Sequence, residues 1–538
     1  MPYRLLCLVL LIATSGFRAQ QLPPVPVPPE NPITPAKAVL GKILFWDEQL
    51  SANGRVACAT CHTPVAGGSD TRFARHPGRD NVFNTPDDID GSPGLPRADA
   101  NNHYSRDPHF GFAEQVTNRS APTAIGAAYF RELFWDGRAG ATFRDPVSNQ
   151  VVIANGGALE NQVLGPLLSP AEMAHDSRTW AQITTKVTQV RPLALAASLP
   201  ADLSAALAVN PTYPALFAAA FGDPAVTPTR IALAIATHER TLVPNQTPWD
   251  RFVAGETTAL TPNQLAGQAL FAGRARCAQC HQPPLFSDQS YRFIGVRQAN
   301  EDPGRQLVTS NPTDAGRMKV PTLRNAALKR RFMHPGQFTS LAQLVGFYNA
   351  PPPPLPGRDP LIGPLNLNPT ERGQLVDFLQ ALVDPRVVAG TGPFSRPTLF
   401  SETDPLRANQ YGAPTSGSSG YVPRLLGDAG ASVANPEFKI GIHDALGGAP
   451  ALLALAAARA LPGSTVLGLP LHVDPTTTVP LPLALTGVGL GGGAGTFVLP
   501  IPALAQLAGA ELFGQWFVLD AGGLNGMAAT SGARWVVR

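Results

Sequence analysis

Two short strings constrain this chain more than any other feature: Cys58-Ala59-Thr60-Cys61-His62 and Cys277-Ala278-Gln279-Cys280-His281. Two cysteines three apart, with a histidine directly after, form the attachment pattern of c-type haem. Each thiol can add to one vinyl group of the porphyrin, and the histidine offers an imidazole nitrogen to the iron. One helical turn brings all three groups to the same face. A zinc ribbon or a redox dithiol is the alternative, but a zinc ribbon has no need of a histidine after each pair. The strings therefore predict two covalently attached c-type haems, with His62 and His281 as iron ligands.

These strings use four of the five cysteines. The fifth, Cys7, lies in the apolar run Leu5 to Ala13, so no thiol is left for a disulfide. That run follows Arg4 and is too short to span a bilayer. It reads as the core of a signal peptide over residues 1–20, cleaved near Ala19. Export suits the haem reading, since thioether attachment takes place outside the cytoplasm; the expected location is periplasmic or secreted. No later segment is apolar for long enough to cross a membrane. A net charge of +3 on 538 residues gives no argument for a nucleic-acid partner. With 44% hydrophobic and 15% charged residues, 56 Pro and 51 Gly, the chain reads as globular and rich in loops.

Taken in order, a Pro-rich linker leads to Thr34-Pro35, a cap and first residue for a helix carrying Val39, Leu40, Ile43 and Leu44. Residues 64–118 read as a long haem-covering loop. A helix is expected from Pro122 to Tyr129, and irregular chain over 141–157. Gly165-Pro166 reads as a turn, and Ser169-Pro170-Ala171-Glu172-Met173 as a capped helix start. Further helices are expected near 177–190, 201–207, 212–220, 227–242, after Thr261-Pro262, and over 340–348 and 369–382. The fold class is thus mainly α: two cytochrome c-like haem domains over 31–199 and 200–387, with long loops. Residues 388–428 read as a linker. Over 429–538, short apolar runs alternate with Gly and Pro turns, which suggests an all-β, sandwich-like module. His443 and His472 in that module are isolated and read as surface or packed residues, not ligands.

The two strings lie about 220 residues apart, with Trp135-Asp136-Gly137-Arg138 between them. In this the chain resembles the bacterial di-haem cytochrome c peroxidases and MauG. The resemblance covers roughly 36–385. It also rests on Leu40-Gly41-Lys42, Phe45-Trp46-Asp47, Glu239-Arg240-Thr241-Leu242, Val320 to Asn325, and Met333-His334-Pro335-Gly336. It implies hydrogen peroxide as substrate and a small electron-donor protein, a cytochrome c or cupredoxin, as partner. MauG-like oxidation of a protein or organic substrate and non-catalytic electron transfer are the alternatives.

Peroxide reduction at iron needs a group that carries a proton from one peroxide oxygen to the other. The resemblance assigns that role to Glu172, with Gln162 orienting peroxide. Otherwise Glu172 is a first-turn helix residue favoured by the dipole. Trp135 resembles the family's bridging tryptophan between haems; otherwise it is a core residue with its N–H satisfied. Fourteen residues after His334, where Met-ligated relatives carry their ligand, stands Tyr348. The resemblance to MauG implies a tyrosine ligand to the second iron, which favours its oxidised state. A distal histidine over the first haem would come from His76, His103 or His109, with His109 nearest the expected place. The family's calcium is doubtful here. Ser120 stands at its Asn position, and Lys329-Arg330-Arg331 would surround the cation with positive charge.

Overall fold

The computed structural model describes residues 20–403 and 409–538. The leader expected over 1–20 lies, apart from Gln20, outside the described residues. Threonine caps followed by proline start the principal helices. Thr34, Thr227 and Thr261 each accept a hydrogen bond from the third helical N–H, in front of α1 (Pro35–Trp46), α3 (Pro228–Glu239) and α4 (Pro262–Ala272). Between α1 and α3 runs α2 (Ala158–Leu168). The second half adds α5 (Leu341–Asn349) and α6 (Pro369–Gln380).

Each haem string follows a helix that crosses another at very short range. A Cβ on Gly41 of α1 would lie 1.9 Å from the Ala234 carbonyl oxygen of α3. On Gly267 of α4 it would lie 1.9 Å from the Gln374 carbonyl oxygen of α6. Only glycine permits either crossing. Two apolar cores result. One gathers Leu40, Ile43, Phe217 and Ile231; the other gathers Trp249, Phe271, Phe286 and Phe378.

Two expectations for the first half are corrected. Pro122–Tyr129 is not a helix: Gly126 adopts φ 75°, leaving only a short 3₁₀ turn, Ala127–Tyr129. Gly165-Pro166 does not break the chain; α2 runs through it to Leu168. Residues after Ser169 are then a turn, with the Glu172, Met173 and Ala174 N–H groups all donating to the Ser169 carbonyl.

The C-terminal residues form two larger antiparallel sheets and a short hairpin that pairs Thr465–Val466 with Leu469–Pro470. The strands of the larger two are β1 (Gln410–Tyr411), β2 (Arg424–Leu426), β3 (Lys439–Ala445), β4 (Pro450–Ala456), β5 (Val479–Ala484), β6 (Gly493–Val498), β7 (Glu511–Leu524), β8 (Met527–Ala529) and β9 (Gly532–Val536). One sheet has the order β2-β3-β6; the other has β5-β4-β7-β9-β1, with β8 also on β7. Leu425, Ile440 and Ile442 of the first share a core with Leu453, Trp516 and Trp535 of the second. Two of these strands, β1 and β2, come from the stretch expected to be a linker. Prolines 480 and 482 sit in the edge strand β5, where a missing N–H is tolerated. His443 packs against Phe112, ring centroids 4.8 Å apart, and the His472 ring contacts Tyr411.

Candidate functional site

A single cavity of ≈ 660 Å³ runs through both helical halves. It is lined by Cys61 and His62 from one string, and by Cys277, Cys280 and His281 from the other. Gln162, Glu172, Trp135 and Tyr348 also line it, so the structure brings these sequence-predicted residues together. The four cysteines form no disulfide. Cys58 opens the helical turn whose end presents His62.

The two histidine rings are held alike. The Nδ1 of His62 lies 3.2 Å from the Gly68 carbonyl, and the Nδ1 of His281 lies 3.0 Å from the Phe286 carbonyl. Each Nδ1 donates its proton to that carbonyl, which leaves Nε2 with a free lone pair. Burial pushes both rings below the ordinary histidine range, so both are neutral at pH 7. Free thiols, fixed tautomers and an apolar cavity fit haem in both halves.

Glu172 stands on the turn after α2, not in the first turn of a helix. Burial pushes its carboxyl above the ordinary range, while Ser169 and Arg138 draw it partly back. A carboxyl of raised pKa binds a proton more firmly, which suits a group that takes one up and hands it on. A second carboxyl in the same cavity received no role from its motif in the sequence: Glu239, at the end of α3. It is 5% exposed, and its Oε2 has no hydrogen-bond partner among the described residues. Its neighbour Arg240 is turned to Glu160, at 2.7 Å. Burial pushes Glu239 up to about 8.

Trp135 is buried, and its Nε1–H donates to the Ser120 carbonyl at 2.8 Å. His334 stands against it, ring centroids 6.2 Å apart, and the Lys329 ammonium lies 6.0 Å over the indole. Lys329 makes no side-chain ion pair or hydrogen bond among the described residues, and burial brings it down to about 8. Other lining cations are held by protein oxygens, among them Arg119 and Arg138 by Asp136, Arg292 by Asp288, Arg324 by Asp250 and Lys319 by the Glu132 carbonyl. Arg119 also reaches Asp302, so a guanidinium already bridges the two acids at this junction.

Tyr348 projects from α5 and its phenol lies near Cys277 and Cys280; burial pushes that phenol far up. His109 is not in the cavity. Asp107 accepts hydrogen bonds from the His109 and Phe110 N–H groups, and this turn leaves the His109 ring 36% exposed. His103 is also outside; His76 alone of the three loop histidines lines the cavity. Its Nδ1 accepts from the Gly78 N–H at 3.1 Å. The neutral ring therefore carries its proton on Nε2 and is a donor, not a ligand, in this conformation.

These features match known proteins. A family model of di-haem cytochrome c peroxidases matches residues 35–258. The chain is 31% identical over 374 residues to methylamine utilization protein MauG of Methylorubrum extorquens, covering 69% of this chain and 85% of that protein. It is 29% identical over 420 residues to cytochrome-c peroxidase IdrP1 of Pseudomonas sp. strain SCT, covering 72% and 90%. The crystal structure of a MauG-like protein associated with microbial copper homeostasis shares the fold. Its TM-score is 0.50 at 24% identity, over 70% of this chain and 97% of that one. The chain belongs to the di-haem cytochrome c peroxidase family, which includes MauG. It is an oxidoreductase of the cytochrome-c peroxidase type. Among the described residues no helix is long and apolar enough to cross a membrane.

Proposed function

We propose that this chain is an exported di-haem c-type peroxidase that reduces hydrogen peroxide to water. One haem is attached through Cys58 and Cys61 in the first domain, 31–199, and the other through Cys277 and Cys280 in the second, 200–387. Haem iron, when bound, supplies an open position for peroxide and the electrons that cleave its O–O bond. His62 would hold the peroxidatic haem. Gln162 would orient peroxide. Glu172 takes the proton from the inner oxygen and delivers it to the outer one, which leaves as water. Turnover consumes two electrons and two protons per peroxide. The electrons come from a small cytochrome c or cupredoxin, enter through the second half and pass Trp135. The two C-terminal sheets form a sandwich-like module.

One observation carries this reading: a half-buried carboxyl whose pKa is raised by desolvation shares the cavity of His62 with Gln162. An electron-transfer cytochrome has no use for that pair. Tyr348 favours a second reading, MauG-like oxidation of a protein or organic substrate through the oxidised second haem. With a donor histidine at position 76 and His109 outside, the oxidised protein reacts with peroxide directly. With Arg119 and Lys329 providing positive charge at the junction, calcium is not needed, and a chelator leaves turnover unchanged; loss of turnover on chelation would reverse that part. The central test is Glu172→Gln. It should lower peroxide turnover about 10²- to 10⁴-fold with both haems attached. Unchanged turnover would overturn the assignment.

A further inference from the structure

The C-terminal β module has no role in the chemistry above, yet it reaches the turn that carries Glu172. The contact is Glu437, just before β3. Its carboxylate grips Arg178 through two bonds, Nε to Oε1 at 3.1 Å and Nη2 to Oε2 at 2.9 Å. The remaining guanidinium nitrogen, Nη1, donates to the Met173 carbonyl at 3.2 Å and to the Leu50 carbonyl at 2.6 Å. Lys186 joins the same carboxylate at 2.7 Å and donates to the Ser51 carbonyl at 2.8 Å. The Ala52 N–H donates to the Met173 carbonyl at 2.9 Å.

One module carboxylate thus fixes two segments through two cations. One is 50–52, which leads into the first haem string. The other is the Ser169–Met173 turn, in which Glu172 is the residue before the held carbonyl. The site is closed to solvent: the side chains of Arg178 and Lys186 are 0% and 1% exposed. Burial alone would raise the Glu437 carboxyl, but Lys186 and Arg178 outweigh it and hold it below its ordinary range. Among the described residues Glu437 is the one carboxylate in ion-pair contact with either cation; Asp47 acts on Lys186 from further off. Without Glu437, the two buried cations lose the carboxylate that pairs them.

We infer that Glu437 is a positioning residue for Glu172, so that the peroxide site is complete only when the β module is docked. This rests on the assignment of Glu172 as the proton carrier. Arg178 aims correctly because its other two nitrogens are locked in a bidentate pair. The module also docks through a second buried contact that does not touch the Glu172 turn. There Asp428 accepts from the Tyr104 hydroxyl and from the Asn53 side-chain amide.

That second contact supplies the control. Peroxide turnover of the full-length protein carrying both haems is measured with ferrocyanide as donor, alongside thermal unfolding. Glu437→Gln should lower kcat about 10-fold, the scale of a lost supporting contact, with the ferrocyanide KM unchanged. Asp428→Asn should lower the unfolding temperature while leaving kcat within about twofold. Should Glu437→Gln fail to fold, Glu437→Asp keeps the charge on a shorter arm and should give an intermediate loss in kcat. Wild-type kcat in both Glu437 variants, or an equal loss in Asp428→Asn, would overturn the inference. Glu172→Gln distinguishes the two failures: if it retains turnover, the proton-carrier reading falls first; if it loses turnover while the Glu437 variants do not, only the positioning role falls.

Discussion

The two helical halves are built on one plan, and their differences divide the labour. Residues 122–139 and 321–338 match at a constant offset of 199. Each carries a short 3₁₀ turn, Ala127–Tyr129 and Ala326–Leu328. Each then has a non-glycine residue at φ 65°, Phe134 and Met333, and an antiparallel bridge, Leu133 to Ala139 and Phe332 to Phe338. The halves meet reciprocally: the Ser120 N–H donates to the His334 carbonyl and the Lys319 N–H to the Trp135 carbonyl, both at 2.7 Å. Ser120 corresponds to Lys319 and Trp135 to His334, so this is the self-complementary contact of a two-fold axis. The chain puts different side chains at matched places. Trp135 faces His334 across the axis, Phe130 answers Lys329, and the Gly41 and Gly267 crossings lead to Glu239 in one half and Leu379 in the other. Glu172 and Glu239 lie with the core of the first haem string, since α3 packs on α1 although its residues follow 199, and Tyr348 lies with the core of the second.

The largest expected effect tests that division at the second iron. On the proposed reading Tyr348 ligates the second iron, and Tyr348→Met would exchange that oxygen ligand for a thioether, which favours reduced iron. Axial ligands move haem potentials over about 0.8 V, so a rise on the order of 100 mV is expected for that haem alone. Redox titration followed by absorbance separates the two haems. A potential that stays put would mean that Tyr348 only packs, and the halves would then differ on one side only.

Much of this plan was legible in the sequence, because it is written in local chemistry. The Cys-His strings and the Thr-Pro caps depend on a few adjacent residues, and they mark cavity-lining residues and helix starts. The strand runs near 481, 495, 515 and 534 were readable for the same reason. The Glu172 turn was misread because Pro166 is tolerated inside α2, against its usual effect on a helix. The 122–129 segment has helical composition, but the positive φ of Gly126 is set by its hydrogen bond to the Leu242 carbonyl, 116 residues away. His109 was chosen by proximity in sequence, whereas the Asp107 turn that directs it outward is a tertiary result. Glu437 left no local signal, since its partners lie more than 250 residues earlier.

Next in size is the contrast between Glu239 and Leu379. Burial pushes Glu239 up to about 8 in the fold, against 4.5 for an ordinary glutamate. Between those values the unfolded chain has lost the proton and the folded chain keeps it. Raising the pH through that window therefore destabilises the fold, by at most about 1.4 kcal/mol per pH unit. Glu239→Gln should flatten the dependence of the denaturation midpoint on pH between 5 and 8. The reverse exchange, Leu379→Glu, should steepen it. Equal slopes in Glu239→Gln and the parent would show that the first half does not hold this proton.

The smallest effect expected concerns Lys329, the cation that breaks the symmetry at the axis. Its counterpart Phe130 is apolar and has the Lys319 ammonium 4.5 Å over its ring, while Lys329 itself lies over Trp135. A positive charge near a redox centre stabilises the electron that arrives there. Across about 10 Å at an effective dielectric near 20, that is worth about 1 to 2 kcal/mol, or tens of millivolts. Lys329→Met should therefore lower the haem potentials by that amount at pH 6, where the ammonium is charged. Because burial has brought this group down to about 8, the difference from the parent should shrink as the pH is raised through that value. A difference that is the same at pH 6 and pH 9 would assign the shift to repacking around Trp135, and the charge asymmetry between the halves would then have no redox consequence.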